Sequence, residues 1–183
     1  KCAFCVRFFL ANIHNMKLRV DIDKILEEGL PNYDIQADSE VIDLGKRIQE
    51  KGFSNLDEFR ILSDWKSPRI RKHILSNGEK TIQEVTKDVL STKSELTHIG
   101  SLLLLKGVSY PMASTFLHLC HETKYPIIDY RALWTLGYDE LPTYDINFWL
   151  LYVKFTRDLA NKNNLDMRTL DRALWGYSKK YQD

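Results

Sequence analysis

The chain has 183 residues, of which 44% are hydrophobic and 28% charged, a composition that excludes an intrinsically disordered protein. Its formal net charge is +1, so a nucleic-acid-binding surface can exist only as a local patch and not as a field over the whole protein. No apolar run reaches the length of a membrane span, and we therefore predict no membrane partner. This length suits one domain or two small lobes that share a core.

Residues 1–15 are rich in apolar and aromatic side chains but are interrupted by Arg7. No small-residue cleavage site follows them, so they resemble a signal peptide only poorly. Two interpretations stay open: the segment belongs to the natural protein, or Met16 is the start and the segment lies upstream of it. We treat residues 16–183 as a single helical unit.

The three cysteines favour a reduced compartment over a disulfide framework. Cys2 and Cys5 have the spacing of a redox motif or of half a zinc site, but no second pair completes a tetrahedral set. Cys120 shares an apolar helical face with Phe116 and Leu117 and is predicted to be a small core residue. The five histidines show no metal-ligand spacing. We therefore predict a cytoplasmic protein without a side-chain metal site.

Residues 20–26 are predicted to be either a short helix or an extended arm. Clear helical periodicity begins after this segment. Between Asp38 and Gly52 apolar residues recur at helical spacing, and Ser54 with Asp57 three residues later resembles a capping-box start. No alternating β pattern of useful length occurs, so the sequence predicts an all-α protein. The further predicted helices cover residues 68–75, 81–90, 94–105, 147–159 and 167–177.

Two short patterns concern charge. Lys66, Arg69, Arg71 and Lys72 follow one another without an intervening acid, and such a helix face either holds backbone phosphates or is simply solvated. The tetrapeptide Arg-Ala-Leu-Trp also occurs twice, at residues 131–134 and again at 172–175. We interpret its arginines and tryptophans as half-buried residues of helix packing.

Residues 101–119 have the pattern of a helical hairpin. An apolar helix stops at Gly107, which can take the positive φ of a tight reversal, and a second begins at Pro111, whose ring suits a first helical position. The unpaired N–H groups of such a turn bind a phosphate oxygen without a side-chain charge. The alternative is a purely structural corner between helices. Downstream, Asp129 occupies the N-cap position of a helix over residues 130–137.

Two linked motifs resemble the endonuclease III-like superfamily of DNA glycosylases. The first is LKGVSYPMA at residues 105–113, which resembles that family's helix-hairpin-helix, roughly L-P-G-V-G-x-x-T-A. The second is YPIIDYR at residues 125–131, which resembles the V-D-T-H-V segment that carries the catalytic aspartate of the family. The resemblance implies double-stranded DNA as the partner and Asp129 as the catalytic residue, although capping alone would also explain this aspartate.

The resemblance also implies how DNA would be held. Gly107, Val108 and Ser109 would offer backbone amides to a phosphate, Tyr110 would contact the DNA backbone or close the turn, and the turn carbonyls would suit a monovalent cation. Ser109 replaces the family's second glycine, which requires that this residue not need a positive φ.

A shorter match places LSDW, residues 62–65, where the family has an L-S-x-Q segment whose glutamine enters the opened base pair. Trp65 would replace that glutamine, and its indole either stacks on a base or fills the core. Together with this residue, Lys66, Arg69 and Lys72 complete the set of predicted DNA contacts.

The implied architecture is a glycosylase-like, all-α protein with two helical lobes. One lobe is a helical barrel over residues 54–132 that includes the hairpin at about 101–119, and the other combines 16–53 with 133–183. Pro111 stands where lyase-active members carry a lysine, so the expected activity is monofunctional. No cysteine follows Cys120, which implies no iron–sulfur cluster, and we expect no other cofactor and a monomer.

The function expected on this basis is base excision, the hydrolysis of the N-glycosidic bond of a flipped base. Two alternatives stay open. One is a catalytically inactive helix-hairpin-helix protein that binds nucleic acid, and the other is a helical protein-interaction module.

Overall fold

The computed structural model describes residues 16–182 of the chain. Within these residues it contains ten α-helices and no strand, so the all-α prediction is confirmed for this part of the chain. The predictions for residues 1–15, including the Cys2 and Cys5 pair, lie outside the described residues. In chain order the helices are α1 Ile22–Gly29, α2 Ser39–Lys51, α3 Leu56–Lys66, α4 Arg71–Ile74, α5 Glu79–Ser91, α6 Glu95–Leu102, α7 Tyr110–Cys120, α8 Tyr130–Thr135, α9 Ile146–Lys162 and α10 Met167–Tyr181.

The chain divides into two compact units. The continuous unit is Asp34–Ile127 and holds α2 to α7. Among the described residues, the split unit combines 16–33 with 128–182 and holds α1 and α8 to α10. These boundaries differ from the predicted lobes, which placed residues 34–53 with the second lobe and 128–132 with the first.

Packing explains both differences in the boundaries. Helix α2 belongs to the continuous unit because Gly45 lies against α7, where an added Cβ would be 2.5 Å from the carbonyl oxygen of Leu119. Helix α8 belongs to the split unit because the hydroxyl of Thr135 donates a 2.8 Å hydrogen bond to the carbonyl of Leu174 in α10. Both contacts join residues far apart in sequence, which a periodicity pattern does not report.

Local signals begin and end the helices of the continuous unit. Gly52 ends α2 with a φ of 81°. Helix α3 begins one residue later than predicted, because Asn55 and not Ser54 is its N-cap. The Asn55 side chain accepts from the N–H of Glu58, whose carboxylate accepts from the N–H of Asn55, which completes a capping box. The helix predicted over residues 68–75 is a 3-10 turn followed by the single turn of α4.

Helix α10 is the element around which the split unit is organised. Helix α1 crosses it where both helices carry glycine, and a Cβ added to Gly176 would lie 2.1 Å from the carbonyl oxygen of Gly29. No larger residue permits this approach. The extended segment before α1 adds to the unit, since the backbone N–H groups of Lys17 and Arg19 donate to carbonyls at the end of α8 and in the residue after it.

Candidate nucleic-acid interface

The hairpin is predicted where α6 and α7 follow one another with residues 103–109 between them, and both helices belong to the continuous unit. Gly107 has a φ of 82°, the left-handed conformation that a tight reversal needs. The N–H of Val108 closes the turn on the carbonyl of Leu105 at 3.1 Å. Helix α7 begins at Tyr110, so the predicted first residue, Pro111, takes the second position.

Two amides of the turn remain available. The N–H groups of Gly107 and Ser109 form no hydrogen bond with any residue among 16–182. Ser109 has a φ of −117°, which any residue adopts, so the change from the glycine of the resembled motif causes no strain. Free donors at the start of a helix attract anions.

Asn77 holds the turn in place from outside the hairpin. Its carboxamide accepts from the N–H of Lys106 at 2.9 Å and donates to the carbonyl of the same residue at 3.0 Å. It also donates to the carbonyl of Ile74 at 2.9 Å. Gly107 itself lies against α4, since an added Cβ would be 2.7 Å from the Cβ of His73. The turn and α4 therefore form one surface.

No pattern in the sequence indicates the role of Asn77. It stands in the stretch Ser76-Asn77-Gly78, which has the composition of an ordinary turn and which we assigned no function. Only the hydrogen bonds to a residue 29 positions away reveal that this side chain supports the hairpin.

The predicted basic residues have three different environments. Arg69 and Lys72 are exposed, line a shallow depression of about 480 Å³, and form no ion pair with a described residue. Arg71 differs, because its Nε lies 2.8 Å from the Asp64 carboxylate, and this hydrogen bond holds the pKa of Asp64 below its ordinary value. Lys66 is the half-buried last residue of α3. We call the following set the hairpin surface: the turn Gly107, Val108 and Ser109 with the exposed cations Arg69, Lys72 and Lys106.

Trp65 and Tyr110 are both half-buried, the first in the last turn of α3 and the second at the start of α7. A half-buried indole is compatible with packing and with stacking on a base, so the base-pocket role of Trp65 stays a prediction. A monovalent cation at the turn would have to share the Lys106 carbonyl with Asn77, and its presence also stays a prediction.

Asp129 lies in the split unit at the N-cap of α8, the position predicted for it. Its Oδ1 accepts from the N–H of Arg131 at 3.0 Å, and the residue is half-buried. Burial, with a smaller effect of the Asp129 carboxylate, raises the pKa of Tyr144 to about 12. Burial and then the Asp171 and Asp129 carboxylates raise the pKa of Tyr152 well above its ordinary value. Both phenols near this carboxylate therefore keep their protons at neutral pH.

Comparison of the chain with protein-family models, with curated proteins and with solved structures finds no match. Among residues 16–182, no three His, Cys, Asp or Glu side chains are grouped so that they could hold a metal ion. In the same residues, every helix is too short or too polar to cross a bilayer.

Proposed function

We propose that the protein binds double-stranded DNA through the hairpin surface and hydrolyses the N-glycosidic bond of an unstacked base with Asp129. One observation supports the binding above all: Asn77 fixes Lys106 while Gly107 packs on His73. The free amides and the exposed cations are thereby held on one support. DNA backbone binding uses this combination, because amides position a phosphate oxygen while cations neutralise charge and release counterions.

In this proposal Asp129 acts on the sugar of the target nucleotide. As the bond between C1′ and the base breaks, the base takes the bonding electrons and positive charge develops on the sugar. The carboxylate stabilises that charge and accepts a proton from the attacking water, whose oxygen then forms the new bond to C1′. The N–H of Arg131 holds one carboxylate oxygen at 3.0 Å and so limits the rotation of the side chain.

The proposed activity is monofunctional. A lyase step needs an amine that forms a Schiff base with C1′. In α7 the position that resembles the lysine of lyase-active glycosylases is Pro111, which has no amine. The expected products are the free base and an intact abasic strand.

A nucleic-acid-binding protein without catalysis is the second candidate. The hairpin surface lies wholly within Asp34–Ile127, whereas Asp129 belongs to the split unit. Binding through this surface therefore does not require the carboxylate, and the two properties can be tested separately.

Base release tests the catalytic part. The full chain is incubated with duplex oligonucleotides that each carry one damaged base, and free base is measured for the parent, Asp129→Asn and Asp166→Asn. Asparagine caps a helix about as well as aspartate, so both variants keep their caps, and Asp166 at the N-cap of α10 is the matched control. We expect Asp129→Asn to slow release by about 100-fold or more, with Asp166→Asn unchanged.

The outcomes separate the candidates. Equal release by Asp129→Asn and the parent would show that another group is the catalytic carboxylate. No release by the parent, combined with salt-dependent duplex binding, would leave the non-catalytic binder. No release and no salt-dependent binding would leave the protein-interaction module.

A further inference from the structure

The split unit carries a second group of cations, and here they lie against aromatic rings. Tyr130, the first residue of α8, is 47% exposed. The guanidinium carbon of Arg131 is 5.1 Å from the ring centre of Tyr130 and 5.4 Å from that of Trp175. The ammonium group of Lys179 is 5.3 Å from the Trp175 ring. We call these four residues, Tyr130, Arg131, Trp175 and Lys179, the ring surface.

Among residues 16–182, no carboxylate neutralises the two cations of the ring surface. Neither Arg131 nor Lys179 forms an ion pair with a residue in the described part of the chain. The Nη1 atom of Arg131 is buried and has no hydrogen-bond partner there. A buried donor without an acceptor is costly, so an arrangement that keeps one is suited to an acceptor from a ligand.

A second layer holds Trp175 in place. The ring of Tyr33 meets it edge to face with centres 5.3 Å apart. Arg168 lies over Tyr33 at 5.4 Å and donates a 2.9 Å hydrogen bond to its hydroxyl. Asp171 in turn pairs with Arg168 at 2.8 Å. Tyr33 and Arg168 therefore support the Trp175 indole, and the Asp171 carboxylate is paired with Arg168.

The other copy of the Arg-Ala-Leu-Trp sequence shows what a purely structural tryptophan looks like in this unit. Arg19 covers Trp134 at 4.3 Å and also donates to its carbonyl, while Asp139 neutralises Arg19. Tyr177 stacks on the same indole with centres 6.5 Å apart. At Trp134 the cation is paired with an acid, whereas at Trp175 neither cation is paired with an acid of the described part of the chain.

We infer that the ring surface binds single-stranded nucleic acid. An unpaired base stacks on the exposed ring of Tyr130, and Arg131 and Lys179 take the adjacent phosphates. Stacking on aromatic rings and on guanidinium planes is the usual way in which proteins hold unpaired bases, and nearby cations track the strand. This ligand is distinct from the duplex proposed for the hairpin surface, and it requires neither Gly107 nor Asp129.

Fluorescence anisotropy of a labelled, unpaired oligothymidylate titrated with the full chain tests the inference. Tyr130→Ala removes the ring and Tyr130→Phe keeps it. Lys179→Gln removes a cation of the ring surface, and Lys24→Gln removes an exposed lysine from α1 of the same unit. We expect Tyr130→Ala and Lys179→Gln to weaken binding by about 5-fold or more, and the two control variants by less than about 2-fold.

A double variant, Arg69→Gln with Lys72→Gln, separates this inference from the proposed function. It should weaken duplex binding and leave oligothymidylate binding unchanged. If it weakens both equally, or if Tyr130→Ala binds the single strand like the parent, the ring surface is not the site. If duplex binding is absent but the Tyr130 and Lys179 effects are found, the proposed function fails and the present inference stands.

Discussion

The hairpin surface and the ring surface use the same cationic residue types in opposite ways. In the hairpin surface Arg69 and Lys72 extend into solvent beside a fixed backbone turn. In the ring surface Arg131 and Lys179 lie against Trp175. Extended cations with fixed amides suit a regular phosphate backbone, whereas cations held against rings suit a ligand that has both a flat face and a charge.

Each unit also contains an arginine that, unlike the cations of these surfaces, is paired with an acid. Arg71 in the continuous unit pairs with Asp64, and Arg19 in the split unit pairs with Asp139. A cation that already has an acid partner contributes less to an anionic ligand, because binding must first disrupt that pair. Pairing therefore distinguishes Arg71 and Arg19 from the cations of the two surfaces.

The largest effect is expected when Gly107 is replaced by alanine. Gly52 provides the matched control, because the two glycines have φ values of 82° and 81°, yet only Gly107 has a neighbour near the added Cβ, the Cβ of His73 at 2.7 Å. The left-handed conformation alone should cost Gly52→Ala about 1–2 kcal/mol of unfolding free energy. Crowding should add about 1–3 kcal/mol for Gly107→Ala, which should also lose duplex binding.

Urea unfolding of the two glycine variants and the parent measures this difference. If both variants lost the same unfolding free energy, the turn would not be pressed against α4. The inference that the turn and α4 form one surface would then be wrong. Oligothymidylate binding by the folded fraction should be unchanged in both variants, since neither glycine belongs to the ring surface.

The next effect is expected for Asn77→Ala. Loss of the bonds to Lys106 should lower the unfolding free energy by about 1–2 kcal/mol, at about 1 kcal/mol for each hydrogen bond, and should weaken duplex binding because the turn is no longer fixed. Asn163→Ala is the control, since Asn163 also donates to a helix carbonyl, that of Leu159 at 2.7 Å, but in the split unit. It should lose stability without losing duplex affinity. If Asn77→Ala bound the duplex as tightly as the parent, the hydrogen bonds between Asn77 and Lys106 would have no part in binding.

A smaller and more specific effect is expected in the salt dependence of duplex binding. Removing Arg69 and Lys72 together should reduce the slope of log affinity against log salt by about 2, at about 0.9 for each phosphate contact. Arg71→Gln should leave the slope nearly unchanged because Asp64 already neutralises that arginine. If Arg71→Gln reduced the slope by about 0.9, the value for one phosphate contact, ion pairing would not distinguish the cations of this surface.

Local signals in the sequence were sufficient for much of the fold. Three features that depend only on residues within one turn agree with the sequence prediction. They are the positive φ of Gly107, the end of α2 at Gly52 and the cap at Asp129. The start of α3 was not predicted correctly, because Ser54 and Asn55 are both capping residues with an acid three positions on. The structure selects Asn55 because Ser54 is buried and its N–H donates to the hydroxyl of Thr86 at 2.8 Å.

In the candidate site, too, contacts between residues of different elements could not be predicted from local sequence. The exposure of Arg69 and Lys72 follows from their pattern, but the pairing of Arg71 depends on Asp64 in the preceding helix. Nothing in the sequence distinguishes the two copies of Arg-Ala-Leu-Trp, and the pattern predicts half-buried packing residues at both. Trp134 is covered by Arg19, which lies 115 residues earlier in the chain, and no spacing in the sequence predicts that contact.

The smallest predicted effect concerns pH and should be specific to the continuous unit, which contains every histidine among residues 16–182. His121 is buried, its ring centre is 4.3 Å from that of His98, and its Nδ1 accepts from the N–H of Thr123 at 3.0 Å. Burial, and secondarily His98, lowers the pKa of His121. Below the ordinary pKa of about 6.5 the unfolded chain therefore binds a proton that the folded chain does not.

The free energy of unfolding should therefore fall as the pH decreases from about 6.5 towards the lowered pKa of folded His121, and this contribution should level off below that pKa. His121→Asn keeps an acceptor for the N–H of Thr123 but cannot titrate, so its unfolding free energy should depend less on pH across this range. Urea unfolding at a series of pH values compares the two proteins. The same slope in both would mean that His121 is protonated as easily in the folded chain as in the unfolded one, and that its burial does not contribute to the acid sensitivity of the continuous unit.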